Sequence, residues 1–430
     1  MGRLTLERAA LAIPTRRRDG VPSMGADEDP FTLGVEALEA LAQGAEPTTE
    51  IRHLKVIGNA GPATEELFRA ALGAPTLAVE YLPPGPEGVL GTLGGGQGSR
   101  ERDAGPSATL VLDSARGATS AGAEKAGDAA VALRFGDGLG LEVELIGRQE
   151  GPMDDAEVLQ GVVTRTFGGA AGSAPTGWLV VAKDRPDRLL RALSTASTPV
   201  SAIWRRSGVT GLGEAPGVST LGALAEMSRS LGREQSGLLL IEGPSEVFIA
   251  AVRSTGPCTW IGPWDGASDS GMTDSASALP DTQDLLVVSQ GAYIPRATYL
   301  AGVSSHWRMM ADRCPSCRRL TFPRRGSCRW CGAREGLVRE RLPRTGLRVE
   351  AVTTVSSGGQ PTEFDAQVSS GTPYDVVIAN VRDGVRITVQ VTDYPPGTVR
   401  VGDRVSLRLR RLYPMEGEWR YGLKAVPEAR

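Results

Sequence analysis

Residues 314–332 read CPSCRRLTFPRRGSCRWCG and carry four of the five cysteines in a chain of 430 residues. Cys314/Cys317 and Cys328/Cys331 form two C-x-x-C pairs, and each pair can make a tight turn that presents two thiolates to one ion. That is zinc-ribbon spacing. Four thiolates close a tetrahedral shell with no open position, so a zinc ion here is structural and does no bond-making. The competing use, two disulfides, needs an oxidising compartment, and no secretory signal precedes the segment. Arg318, Arg319, Arg324, Arg325 and Arg329 crowd the same residues and give the ribbon a basic surface, suited to a phosphate-rich ligand or simply solvated.

C-terminal to the ribbon the texture is short and alternating. LRVEAVTTVS, YDVVIANVR, GVRITVQVTD, RVSLRLRRLY and WRYGLKAV read as five strands separated by Gly, Pro and Asp turns, the pattern of a small closed barrel such as an OB-fold. In RVSLRLRRLY, Arg404, Arg408 and Arg410 keep the two-residue period that places side chains on one strand face, and Arg411 breaks it.

On the N-terminal side the rhythm is helix and strand. PFTLGVEALEALAQ follows Asp27, Glu28 and Asp29, an acidic run that favours a helix N-terminus. IRHLKVIGNAG, TLAVEYL, ATLVLDS and AAVALRFG read as strands, with ATEELFRAALG a helix. After a break at residues 169–177 come the strand WLVVAKD, the helices PDRLLRALSTA and STLGALAEMSRSLG, and the strands SGLLLIEG, VFIAAVR and DLLVVSQGAY. Such alternation implies an α/β sheet with crossover connections, here in two halves. Net charge is −3 and the pI is near 5.7, which disfavours a nucleic-acid binder of overall basic type. No apolar run is long enough to span a bilayer and the N-terminus lacks a signal-peptide core, so a cytoplasmic protein without a membrane partner is expected. GGGQG at residues 94–98 is no phosphate loop, since no G-K-[ST] follows.

CPSCRRLTFPRRGSCRWCG, PYDVVIANVRDGVRITVQVTD and VRVGDRVSLRL together resemble the zinc-ribbon/OB-fold family that accompanies thiolases and acyl-CoA enzymes. EDPFTLGVEALEAL, EKAGDAAVALRFGDG, LGEAPGVSTLGALAEM with LLLIEGPSEVFIAAV, and YIPRATYLAGVSSHWRM resemble hydroxymethylglutaryl-CoA synthases of the thiolase superfamily. The resemblance implies an α/β, duplicated thiolase-like five-layer fold over residues 1–303, in halves of about 1–168 and 178–303. A small zinc ribbon (304–337) and an all-β OB-fold barrel (338–430) follow. It also implies acyl-CoA as ligand or substrate and a homodimer or a thiolase-like partner.

Chemistry in that family needs a cysteine thiolate at a helix N-terminus. The nucleophile position falls near Gly85, and no cysteine lies in the first 257 residues. The family's late asparagine falls near Gly213. No catalytic residue is therefore assigned. Cys258 follows a strand and reads as a packed thiol, His53 as a structural residue of IRHLKVIG, and His306 as surplus to a shell that four cysteines complete. Glu80 and Glu87 flank the lost position and read as loop carboxylates. Arg324, Arg325 and Arg408, with Arg344, Arg348, Arg410 and Arg411 nearby in sequence, are candidates for the phosphates of CoA or for the wet face of the barrel. The function expected is an accessory, non-catalytic subunit. The alternatives are an active acyltransferase with an unconventional site and a ribbon/OB nucleic-acid-binding protein.

Overall fold

In the computed structural model of the chain, the described residues are 5–42, 51–60, 65–84, 107–113, 128–150, 177–181, 203–206, 216–242, 246–262, 296–356 and 373–428, a few positions inside these stretches excepted and a few isolated ones added. They form two compact units. One takes Met1–Ser23, Ala37–Gly61 and Thr76–Gly271; the other takes Met24–Glu36, Pro62–Pro75 and Met272–Arg430.

The first unit is built on ten strands. They are β1 (Thr5–Ala12), β2 (His53–Ile57), β3 (Ala78–Leu82), β4 (Ser107–Asp113), β5 (Ala129–Gly136), β6 (Leu141–Glu150), β7 (Gly177–Val181), β8 (Ile203–Arg206), β9 (Ser236–Glu242) and β10 (Glu246–Ser254). Their order, β3-β2-β4-β5-β1 and then β6-β10-β9-β7-β8, runs through the same five-strand pattern twice. Pairing senses repeat too. β2 is parallel to β3 and β4, while β4–β5 and β5–β1 are antiparallel. In the second copy β7 is parallel to β8 and β9, while β9–β10 and β10–β6 are antiparallel. The copies meet through only two residue pairs, Thr5↔Glu142 and Leu6↔Leu141. The expected duplication is thus present in the strand order. Its second copy opens at Leu141, ahead of the break at 169–177, because LEVELIGRQE is a strand that the sequence reading passed over. A short strand, β11 (Thr259–Ile261), adds to β1 in parallel.

Helix α3 (Pro216–Ser230) explains how two copies make layers. It packs on β4 and β5 of one copy and on β7 and β9 of the other. A helix between two sheets must be apolar on every side. Val218, Leu221, Ala223, Leu224, Ala225 and Met227 are accordingly all buried, in one core with Val111, Val131, Leu239 and Phe248. The backbone N–H of Val218 donates to Asp113 Oδ2 at 2.6 Å, satisfying an open donor of the helix start.

In the second unit, β15 (Leu347–Val355), β16 (Tyr374–Arg382), β17 (Val385–Gln390), β18 (Arg404–Met415) and β19 (Glu418–Pro427) follow the ribbon strands β12 (Met310–Arg313), β13 (Leu320–Thr321) and β14 (Val338–Arg341). The sheet order is β17-β16-β15-β18-β19, and a parallel bridge from Val391 to Ala425 joins its two edges. The ring 1-2-3-5-4-1 so formed is that of the OB-fold, as the strand count led one to expect. Valines and leucines of alternate positions, among them Val349, Val377, Val405 and Leu407, fill its core. Helix α4 (Arg296–Trp307) leads into the ribbon, and α2 (Glu65–Leu72) packs on it. Helix α1 (Pro30–Leu41) begins directly after the acidic residues 27–29. The expected helix PDRLLRALSTA and strand DLLVVSQGAY lie outside the described residues.

Candidate metal centre and its surroundings

The ribbon folds from two copies of one turn. The N–H of Arg318 donates to the carbonyl of Cys314 at 2.9 Å, and that of Gly332 to Cys328 at 2.9 Å. The N–H of Cys314 donates to Arg319 at 3.0 Å, and that of Cys328 to Ala333 at 2.8 Å. Each turn closes on a residue with positive φ, 58° at Arg318 and 77° at Gly332, directly after the second cysteine. Glycine takes that conformation without strain, whereas an arginine there is uncommon.

The turns bring all four Sγ atoms within 4.8 Å of one another. Cys314–Cys331 and Cys317–Cys328 are each 3.5 Å apart. A tetrahedron with Zn–S bonds of about 2.3 Å has edges of about 3.8 Å, so the sulfurs fit zinc with little adjustment. At 3.5 Å no disulfide links them. Backbone donors favour thiolate at Cys314 and Cys328; at Cys331 the Ala333 N–H acts the same way, but the neighbouring thiols outweigh it and push that group up to about 12. A hydrogen bond from Cys317 N–H holds the Cys314 thiol below its ordinary value. Burial opposes ionisation of Cys328, yet the N–H groups of Cys331 and Trp330 bring it down to about 6. His306 stands apart: its Nδ1 is 2.9 Å from the Gly302 carbonyl on α4, and its ring meets Phe322.

Cys258 lies against the core of the first unit. Burial, with the Glu7 carboxylate adding to it, pushes its thiol up to about 12, the reverse of what a nucleophile requires. His53 is half-buried at the start of β2, and Glu80 is exposed on β3. Gly85, Glu87 and Gly213 lie outside the described residues.

The candidate phosphate-binding arginines divide. Arg325 is exposed. Arg324 Nε is 2.7 Å from Asp312 Oδ1, a carboxylate buried beneath the ribbon, and Arg408 Nη1 is 2.5 Å from Glu36 Oε2. Arg348 is exposed on β15. Arg410, by contrast, is one of the most buried side chains of the second unit. Its guanidinium lies 3.0 Å from Glu28 and 3.1 Å from Asp393, and also pairs with Glu36. Next to it Asp29 serves two elements at once. Its Oδ1 accepts the N–H of Thr32 at 2.8 Å and caps α1, while its Oδ2 accepts Arg411 Nε and the Tyr421 hydroxyl, each at 2.8 Å. Lys424 Nζ is 3.0 Å from Asp27. Arg408, Arg410 and Arg411 of β18 are thus paired with carboxylates, of which Glu28, Asp29 and Glu36 come from the segment 27–36. Sequence reasoning saw an acidic helix start and a basic strand. The signal it did not use was that the two match.

A duplicated, layered α/β sheet and an OB barrel behind a four-cysteine ribbon define the class of this chain. No family model matches it. A DUF35 domain-containing scaffold protein of Methanothermobacter thermautotrophicus is 25% identical over 128 residues, which are 29% of this chain and 91% of that protein. A protein of the same description from Methanocaldococcus jannaschii is 29% identical over 147 residues, 34% of this chain and 93% of the other. Solved structures that resemble the chain are thiolase-like. MvaS in complex with 3-hydroxy-3-methylglutaryl coenzyme A has a TM-score of 0.45 at 17% identity and covers 59% of this chain and 84% of its own. PksG, an HMG-CoA synthase from Bacillus subtilis, has 0.42 at 13%, covering 59% and 80%. Xanthomonas campestris OleA with bound lauric acid and lauroyl-CoA has 0.43 at 10%, covering 58% and 99%. Likeness of this size leaves the chemistry of those proteins with them. Among the described residues, no helix is long and apolar enough to cross a membrane.

Proposed function

We propose that the chain is an accessory, non-catalytic subunit that binds acyl-CoA and supports a thiolase-type partner in acyl-CoA condensation or cleavage, in the cytoplasm. The observation that carries this reading is the joining, in one chain, of a four-cysteine ribbon and OB barrel to a duplicated α/β shell whose one thiol outside the ribbon is held protonated. Relatives described as scaffold proteins match over a length like that of ribbon plus barrel, which suits a supporting role. Zinc is the cofactor of this reading, held by Cys314, Cys317, Cys328 and Cys331. Arg325 is the arginine best placed to meet a CoA phosphate. Arg324 and Arg408 would first have to exchange Asp312 and Glu36 for it.

Purification of the tagged chain from its native host, with mass spectrometric identification of what co-elutes, tests the proposal. A thiolase-type subunit and acyl-CoA binding by the complex are expected. A lone chain with no affinity for acyl-CoA overturns the reading.

A further inference from the structure

We propose that the tip of the ribbon is a docking surface for a carboxylate-rich segment of a partner protein. This inference does not depend on acyl-CoA binding. Trp330 is half exposed, although it is the largest apolar side chain of the ribbon. Its indole is not loose, for Nε1 donates to the Leu320 carbonyl at 3.1 Å and its backbone N–H reaches Cys328 Sγ at 3.4 Å. On this fixed ring rest two guanidiniums, with Arg319 and Arg329 carbons 4.8 and 4.9 Å from the centroid. Arg318, Arg325 and Arg334 are exposed on the same small domain.

Elsewhere on the ribbon Arg313 pairs with Glu340 and Asp383, and Arg324 with Asp312. None of the five has an ion pair among the described residues. Solvation alone explains an exposed lysine on a mobile stem, but it does not explain guanidiniums stacked on an anchored indole. Stacking restricts their rotamers before any partner arrives, and a guanidinium so held suits bidentate contact with carboxylates. Tryptophan flanked by arginine is also the composition of interface hot spots.

Two observations favour a protein over a nucleic acid. Single-strand binding needs an aromatic face for a base to stack on, and the one exposed aromatic of the ribbon already carries two cations. The whole chain is also net negative, which opposes a long polyanion but not a local patch of carboxylates.

The test measures, by fluorescence anisotropy on the full chain, binding of a labelled oligoglutamate peptide against CoA and an oligothymidylate over a salt series. The peptide is expected to bind most tightly and to weaken with salt. Arg319→Glu/Arg329→Glu should lower its affinity by about tenfold or more with zinc content unchanged, while the charge-matched control Arg52→Glu/Arg233→Glu, at exposed arginines of the first unit, stays within about twofold. If the double variant loses zinc, Trp330→Leu keeps every charge and serves instead, with weaker binding expected. The proposal fails if the wild-type chain ignores the peptide, if the oligonucleotide or CoA binds more tightly, if the control loses as much, or if Trp330→Leu changes nothing.

Discussion

Glu28 is wholly buried among other charges. Arg410 faces Glu28, Glu36 and Asp393, and the Asp27 and Asp393 carboxylates lie close enough to Glu28 to oppose its ionisation. Burial raises the Glu28 carboxyl to about 8, and the attraction of Arg410 does not offset it. Glu36 behaves oppositely. Burial alone would raise it, but Arg410 and Arg408 together hold it below the usual range. The signs follow. Folded Glu28 keeps a proton that the unfolded chain loses above about 4.5, so its contribution to stability falls as pH rises from there to about 8 and is level beyond. Glu28→Gln should therefore stabilise the fold at pH 7, by on the order of 1–3 kcal/mol, and by little at pH 5. Glu36→Gln should destabilise it at pH 7 by about 3–5 kcal/mol, because two guanidiniums lose a buried partner. Urea midpoints across that pH range check both. A second consequence concerns Cys258: incubation with acetyl-CoA should leave the intact mass unchanged, and an adduct abolished by Cys258→Ala would promote that thiol to nucleophile.

Strands and helices with one buried face were legible because period and burial coincide. The acidic start of α1, the five barrel strands and the two cysteine turns all stand where the pattern put them. β6 was legible but passed over: LEVEL alternates apolar and acidic residues, and GDGLG (136–140) just ahead of it is a turn signal that separates it from β5. The arginines of β18 show a different limit. Alternation tells which side chains share a face, whereas what covers that face is an acidic segment hundreds of residues earlier, and periodicity holds no record of it. The four-cysteine cluster was legible in full, because covalent spacing alone fixes the turn. Metal analysis should find one zinc per chain. Cys328→Ser should lose it and melt the ribbon strands, while hydrogen exchange in β1–β5 stays protected, since the first unit has its own core.

Neither compact unit is a continuous piece of chain. A cut after Val303, where the sequence placed the end of the thiolase-like part, would strip Glu28, Asp29 and Glu36 of their partners. Phe31 would also lose Tyr421, whose ring centroid lies 5.1 Å from its own. Residues 304–430 produced alone should be less stable than the same residues with 24–36 supplied as a peptide. Thermal melts with and without that peptide decide it, and equal melting temperatures would show that the barrel needs no help from the N-terminal segment.

The bond from Arg411 to Asp29 spans 382 residues. At synthesis rates of about 5–20 residues per second, the aspartate leaves the ribosome roughly 20–75 s before its arginine exists. A greasy segment waiting that long would invite aggregation. Residues 27–29 are carboxylates, so they wait in water at little cost until the last strands arrive to claim them.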